Sequence, residues 1–340
     1  MLRWALENRE SERGLRLAGR LWRFWEIHGY VREGRSWLEA LLALDTAHVP
    51  APVRARALTG AGNIAYLQSD YARARAWHEE SLVLRRGIGD KGGIASSLNN
   101  LANVASGQND YARAQAWHEE SLALWQELGD REGIASSLNN LGAVALDQDD
   151  CARARALYEE SLPLWRELGG TWHLAISLNN LGKVLCQQGA LEHARAVLEE
   201  SLALRRELGD TAGIASSLNN LGTVLRQQGH VEQARALLRE GVALYRKLGG
   251  SMDAAGCLET MAQVILAQGE PERAGRLLGA AGALRAAIGA ACPPVDHTAY
   301  QDMVAAVRAA LGAEDFAAAR AKGAALSLEQ AIAEALRDDT

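Results

Sequence analysis

The 340-residue chain lacks most of the features that mark a catalytic, secreted or membrane protein. It has four cysteines (Cys151, Cys186, Cys257 and Cys292), far apart and with no CxxC spacing. That excludes a disulfide framework and a zinc site, and points to reduced thiols in the cytoplasm. No apolar run approaches the roughly 18–20 residues a membrane helix requires, and the N-terminal stretch has no signal-peptide layout. Basic residues are in deficit: 36 Lys and Arg against 42 Asp and Glu give a net charge of −6. A nucleic-acid partner is therefore not expected, because such binding needs a basic footprint to displace counterions. Motifs of catalysis are missing too: no GxSxG, no HExxH and no phosphate loop. Neither an enzyme nor a cofactor is expected. Strand signals are absent, and aromatic residues make up only 5% of the chain. All nine tryptophans fall within the first 172 residues, so the two halves present different surfaces.

What the chain does have is repetition. The string SLNNL stands at Ser97–Leu101, Ser137–Leu141, Ser177–Leu181 and Ser217–Leu221, a strict 40-residue spacing. EESL recurs in the same register at Glu79–Leu82, Glu119–Leu122, Glu159–Leu162 and Glu199–Leu202. Weaker copies at Leu21-Trp22, Ala61-Gly62 and Met261-Ala262 extend the frame to seven units: 11–50, 51–90, 91–130, 131–170, 171–210, 211–250 and 251–290. Such a period signals a repeat architecture in which no unit buries its apolar face alone.

Each unit reads as two helices. In residues 91–130, Ile94, Leu98, Leu101 and Ala105 form one stripe of a 3.6-residue helix. Asp70, Asp110 and Asp150 are placed to N-cap second helices. Gly129 is placed to end one in a left-handed conformation, and Asp130 to cap the next first helix. Pro271 suits a first helical position. Pro163 falls inside a second helix, so the repeat is expected to be least regular there.

These residues resemble the tetratricopeptide repeat. Leu101-Ala102, Leu141-Gly142, Leu181-Gly182 and Leu221-Gly222 match its Leu-Gly pair. Gly189 and Gly229 match its turn glycine, and Ala114, Ala154, Ala194 and Ala234 its small residue at the helix crossing. The long unit ending in Gly-Asp is similar to the extended variety of kinesin light chain and of bacterial signalling ATPases. A HEAT-type array also tolerates this period, but the Leu-Gly, Gly and Ala spacing favours the tetratricopeptide reading. The resemblance implies an all-α, right-handed superhelical solenoid of about seven helix pairs over residues 1–290, with capping helices over 291–340. In that cap, Pro293-Pro294 breaks the frame, a helix is expected near Ala299–Leu311, and Ser327 can N-cap a final one.

Residues 1–50 and Leu277–Leu336 resemble the segments that flank such repeats in bacterial STAND-type regulatory ATPases, a class that includes AfsR-like and maltose-regulator-like transcription regulators. No GxxxxGK[ST] loop occurs in the chain. What the resemblance implies is therefore the sensor region of such a protein, cut from a longer polypeptide and with Met1 as an artificial start. The alternative is a free-standing adaptor that binds partner-protein peptides. A self-assembling scaffold is a third reading; as an isolated domain the chain is expected to be a monomer.

The resemblance also places the polar face of each first helix on a concave, ligand-binding groove. That face carries Asn99, Asn100 and Asn103; then Asn139 and Asn140; then Asn179, Asn180 and Lys183; then Asn219, Asn220 and Arg226. Amides that both donate and accept could grip the backbone of a protein or peptide, or hold a small-molecule effector. They could equally bond one another between stacked helices, and one asparagine of each pair is expected to do so. Arg16, Arg20 and Arg23 share a face that reads mainly as solvated. His78 and His118 occupy equivalent positions and read as packing residues, not metal ligands. Trp125 and Trp165, alternating with Arg85 and Arg205, leave an aromatic contact patch and inter-unit packing both open.

Overall fold

A computed structural model of the chain describes residues 1–248, 252–287 and 294–337, all of them helical or in turns. Cys292 and Pro293 lie outside the described residues. The chain divides into two compact units, Met1–Val144 and Ala145–Thr340.

The first unit opens with α1 (Leu2–Glu7), α2 (Ser11–Ile27) and α3 (Val31–Leu42), followed by α4 (Ala51–Leu67), α5 (Tyr71–Gly87), α6 (Lys91–Gly107), α7 (Tyr111–Leu128) and most of α8 (Arg131–Asp147). The second holds α9 (Cys151–Leu168), α10 (Thr171–Gln187), α11 (Leu191–Leu208), α12 (Thr211–Gln227), α13 (Val231–Leu248), α14 (Met252–Ala267) and α15 (Pro271–Ala287). It ends with α16 (Pro294–Leu311), α17 (Ala313–Ala324) and α18 (Leu328–Leu336). Helix starts recur every 40 residues at Ala51, Lys91 and Arg131, and again at Thr171 and Thr211. The fold is an all-α helical solenoid of stacked hairpins.

Helix ends follow from side-chain chemistry. Asp70, Asp110 and Asp150 accept the backbone N–H of Arg73, Arg113 and Arg153. Asp90 and Asp210 accept from Gly93 and Gly213 at 2.9 Å, closing the first turns of α6 and α12. Each such cap contributes about 1 kcal/mol. Gly129, Gly169 and Gly209 end their helices at φ of 66°, 68° and 67°. At the tighter turn inside each hairpin, Gly189 (φ 75°) and Gly229 (φ 85°) are matched in other hairpins by Ser69, Asn109 and Asp149 at φ 59–61°. Pro163 does not break α9, which runs unbroken for 18 residues, the same length as α7 and α11. The missing N–H releases one carbonyl, and the surrounding packing holds the helix.

Within a hairpin the two helices touch through small residues. Ala74, Ala114, Ala154, Ala194 and Ala234 have no exposed surface. Opposite them, a Cβ added at Gly182 would lie 2.4 Å from Leu198, and one at Gly222 would lie 2.8 Å from Leu238. The equivalent pair in the first unit is Gly62 and His78, with the ring 2.4 Å from the same imagined atom. A buried serine joins the helices as well: Ser81 donates to the Ala55 carbonyl, Ser121 to Ala95 and Ser201 to Ala175, at 2.7–3.0 Å.

Neighbouring hairpins pack through the end of the second helix. Trp125 lies against Gly133. Trp165, only 2% exposed, stacks on His173 at 4.2 Å. At the same register Arg85 donates to the Gly93 carbonyl at 2.7 Å, and Arg205 to the Gly213 carbonyl. Of the two readings left open for this position, packing is the one these contacts support.

The C-terminal helices are bound by glycine contacts and one buried arginine. A Cβ at Gly279 would meet the Arg320 carbonyl at 2.1 Å, which sets how closely α15 and α17 approach. Arg273, 2% exposed, donates to the carbonyls of Glu334 and Arg337 and so caps the end of α18. Ser327 and Gln330 form a capping box at its start.

His78 and His118 are buried, and burial holds each imidazole down at about 4. Their Nδ1 atoms have no partner. The same position is Leu198 and Leu238 in later hairpins, so these rings act as apolar filling. Below pH 6.5 the unfolded chain takes up protons that the folded one refuses. Stability is therefore full above pH 6.5 and falls, by about 3 kcal/mol for each histidine, as the pH drops to 4. Urea melts at pH 7 and pH 4.5 should show this loss, and His118→Leu should remove its share. An equal loss in wild type and variant would exclude the histidines as its cause. The left-handed turns give a second expectation. Ser69→Gly and Asp149→Gly should each stabilise by about 0.5–1 kcal/mol, whereas Gly189→Ala should destabilise by about 1 kcal/mol. Chemical denaturation midpoints measure all three.

Candidate functional site

The first helix of each hairpin has a polar face because its apolar stripe is used up in stacking. In the first unit that face carries Asn99, Asn100 and Asn103 on α6 and Asn139 and Asn140 on α8, all partly buried. Asn140 donates to the Asn99 carbonyl at 2.7 Å, joining the two helices. Asn139 is engaged as well. Asn100 has no side-chain partner among the described residues: where the next pair has Asn99 to accept, the repeat before Asn100 has Thr59, which bonds Ala55, Ser81 and Arg85 instead.

In the second unit the same bond recurs. Asn220 on α12 donates to the Asn179 carbonyl on α10 at 3.1 Å, and the Ser217 hydroxyl donates to the same oxygen at 3.2 Å. Asn179 is 6% exposed and is therefore a structural amide. The second asparagine of one pair thus bonds the first asparagine of the preceding pair.

The ladder ends at Asn219. One repeat further the Asn-Asn step is replaced by Glu259-Thr260, and Thr260 bonds the Gly256 carbonyl within its own helix. The side-chain amide oxygen of Asn219 (Oδ1) is buried without a partner, whereas its backbone carbonyl accepts from the Thr223 hydroxyl. Leaving such an atom unsatisfied costs on the order of 1–3 kcal/mol.

Asn219 and Asn220 line a cavity of about 250 Å3 with Lys183, Thr223 and Arg226. Cys186 and Gln187 stand beside them, and Glu259 and Arg285 form part of the wall. Tyr300 and Met303 of α16 complete it. Arg285 and Glu259 are joined through both pairs of their atoms, at 2.9 and 2.8 Å, and so cancel one another's charge. Arg226 is different. Its Nε is buried without a partner, and no carboxylate among the described residues pairs with it. Burial lowers the affinity of this guanidinium for its proton, though an arginine stays charged at neutral pH. Cys186 beside it is pushed up to about 11 by burial, so it remains a neutral thiol and supplies no counter-charge. Among the described residues, the cavity holds a guanidinium with no carboxylate partner and a side-chain amide oxygen with no donor.

Of the residues expected to form a site, Lys183, Asn219, Asn220 and Arg226 therefore meet at this cavity, whereas Asn179 and Asn180 do not line it. Glu259, Arg285, Tyr300 and Met303 were not anticipated. The break of the asparagine column at Glu259-Thr260 was the available signal for the first pair. Tyr300 and Met303 lie outside the repeat frame and gave none. The arginine face of α2 is largely solvated: Arg16 pairs with Glu12 at 2.6 Å, and Arg23 lies over Trp22. Arg16 and Arg20 border a wider cavity of about 690 Å3, whose other walls include Met1, Trp4 and Leu17. No helix among the described residues is long and apolar enough to cross a membrane.

Comparison with known proteins agrees with this geometry. Among solved structures, a STAND signal-transduction ATPase with a tetratricopeptide repeat sensor from Pyrococcus horikoshii is similar at a TM-score of 0.63 and 14% identity, over 87% of this chain and 46% of that one. BtubC from P. vanneervenii is similar at 0.53 and 21% identity, over 71% of this chain and 93% of that one. The quorum sensor NprR from B. thuringiensis matches at 0.53 and 13% identity, over 87% and 88%. At these identities the likeness shows the fold alone. No curated protein matches the sequence. The tetratricopeptide repeat profile matches at residues 53–127, 93–167, 133–207 and 173–247, more than half of the sequence in all, and the chain belongs to the tetratricopeptide repeat family.

Proposed function

We propose that this chain is a non-enzymatic binding domain, the sensor region of a STAND-type signal-transduction ATPase, which takes a protein, peptide or small effector on the polar faces of its first helices. The observation that carries this reading is the end of the asparagine ladder. A structural ladder would be expected to close on itself, yet here it stops at an unpartnered carbonyl beside an unpaired arginine in a cavity. The similarity to a STAND sensor over 87% of this chain supports the signalling context. The mechanism is a population shift. A ligand that prefers the activated arrangement by a given free energy moves the equilibrium by that amount and no more. The adaptor reading differs only in what the rest of the polypeptide contains. An in-frame nucleotide-binding loop upstream in the gene decides for the sensor, and a stop codon for the adaptor.

The groove is tested at Asn100 and Asn219, because Asn140 and Asn220 hold Asn99 and Asn179 across the stack and their removal would disturb it. The wild-type chain and an Asn100/Asn219→Ala variant are each incubated with a mixed decapeptide pool and with a pool of small metabolites. What is retained is identified by mass spectrometry. The expected result is a subset held by the wild type and lost at least tenfold by the variant, with circular dichroism still showing a folded chain. Equal retention by both would remove the asparagine face from any binding role.

A further inference from the structure

The side of α2 that looks away from α4 differs from its counterparts in later hairpins, and the 40-residue register shows how. Two positions of a first helix face the hairpin before it. At the first, Gly93 accepts from Arg85 of α5, Gly133 lies against Trp125 of α7, His173 stacks on Trp165 of α9, and Gly213 accepts from Arg205 of α11. At the second, a Cβ on Gly60 would meet Trp22 of α2 at 3.0 Å, while Asn140 reaches Asn99 and Asn220 reaches Asn179. In α2 these two positions are Arg13 and Arg20, and both are exposed.

The helix α1 covers part of this face, but it is six residues long. Beside it an open cavity of about 690 Å3 remains, with Trp4, Ala5 and Leu17 as apolar wall and Arg13, Arg16 and Arg20 at its edge. No carboxylate lines it among the described residues. Arg16 pairs with Glu12 at 2.6 Å and Arg13 stands 3.7 Å from Glu10; both pairs are exposed and so hold weakly. Arg20 has no ion pair among the described residues, and residues 1–20 carry five arginines against three glutamates. The face is therefore apolar at its centre and cationic around it.

The other joints show what kind of body fits such a seat. Arg85, Trp125, Trp165 and Arg205 all stand in the last turn of an α-helix. A helix C-terminus carries partial negative charge, which arginines favour. Here arginine replaces glycine in the seat, so carboxylates beside the apolar side chains are needed as well. A second copy of this chain is a poor source of them, because Glu120, Glu200 and Glu240 are already held by Arg86, Arg166 and Arg206.

We propose that this face docks the C-terminal turns of an acidic amphipathic helix from a partner protein. Its apolar side chains enter the cavity against Trp4 and Leu17, and its carboxylates meet Arg13, Arg16 and Arg20. The contact repeats, between two proteins, the joint by which hairpins stack within this one. It stands apart from the asparagine face and does not rest on the function proposed above.

The test uses the full chain and a fluorescein-labelled peptide of about 18 residues, with leucines at i, i+3, i+4 and i+7 and glutamates flanking them. A second peptide has lysine for every glutamate. Fluorescence anisotropy at low salt should show the glutamate peptide bound at least tenfold more tightly than the lysine peptide. Arg13→Gln/Arg20→Gln should erase that preference, and Arg13→Glu/Arg20→Glu should reverse it. Both positions are exposed, so thermal midpoints should match the wild type. Trp4→Ser should weaken both peptides alike, and Asn100/Asn219→Ala should change neither. Equal binding of the two peptides, binding of neither, or a preference that survives Arg13→Gln/Arg20→Gln overturns the proposal. Loss of binding in the asparagine variant moves the helix to the other face and also overturns it. A dimer in sedimentation that dissolves in Arg13→Glu/Arg20→Glu makes a second copy the occupant, against the partner helix.

Discussion

The close crossing of the two helices in each hairpin is the constraint on which the rest of this structure depends. A fully buried alanine on the second helix and a glycine or alanine on the first let the backbones approach. A large side chain four residues further along the second helix then fills the space over that glycine. Close approach also brings the Ser81, Ser121 and Ser201 hydroxyls within reach of first-helix carbonyls. A polar group in that position is tolerable only because it is bonded; buried without a partner it would destabilise the hairpin. The EESL string thus has a physical meaning: two solvent-facing glutamates, one serine that links the helices and one apolar side chain.

Once hairpins are fixed, stacking follows by exhaustion of alternatives. The apolar stripe of each first helix has one place to go, against its neighbours, and a second-helix residue near its C-terminal end seals the joint. That residue is Trp165 in one hairpin and Arg205 in another. The arginine does there what the indole does, covering the following first helix with its aliphatic stem, but it also donates to a backbone carbonyl. Two very different side chains serve one position because both combine an apolar body with a polar tip.

Much of this was legible in the sequence, and the reason is periodicity. Helix starts, the aspartate caps, the left-handed glycines and the packing role of His78 and His118 all depend on neighbours within one or two repeats, and those neighbours are written in register. Pro163 was expected to make the repeat least regular, yet α9 runs through it for the same 18 residues as its counterparts. The site was less legible. The asparagine pairs look alike in sequence, yet the Asn179 side chain is locked by two hydrogen bonds while the Asn219 Oδ1 has none. The difference lies one repeat further on, at Glu259-Thr260, and in α16, whose residues follow no repeat at all.

That contrast bears on where function arises in a repeat protein. Where the asparagine pair is copied, the second amide of one repeat meets the first amide of the repeat before it, as Asn140 meets Asn99 and Asn220 meets Asn179. The first amide of the last pair is left unmet where that copying stops. At the Asn219 step the donor that Asn220 supplies to Asn179 has no successor, Arg226 stands where earlier repeats carry Ser106, Leu146 and Cys186, and α16, outside the frame, supplies part of the wall. A buried carbonyl and a buried cation left without partners are costly to the folded chain on its own, and an external molecule that satisfies both recovers that cost as affinity. The chemistry of recognition is therefore to be sought where the asparagine column breaks, since within the column the paired amides spend their hydrogen bonds on one another.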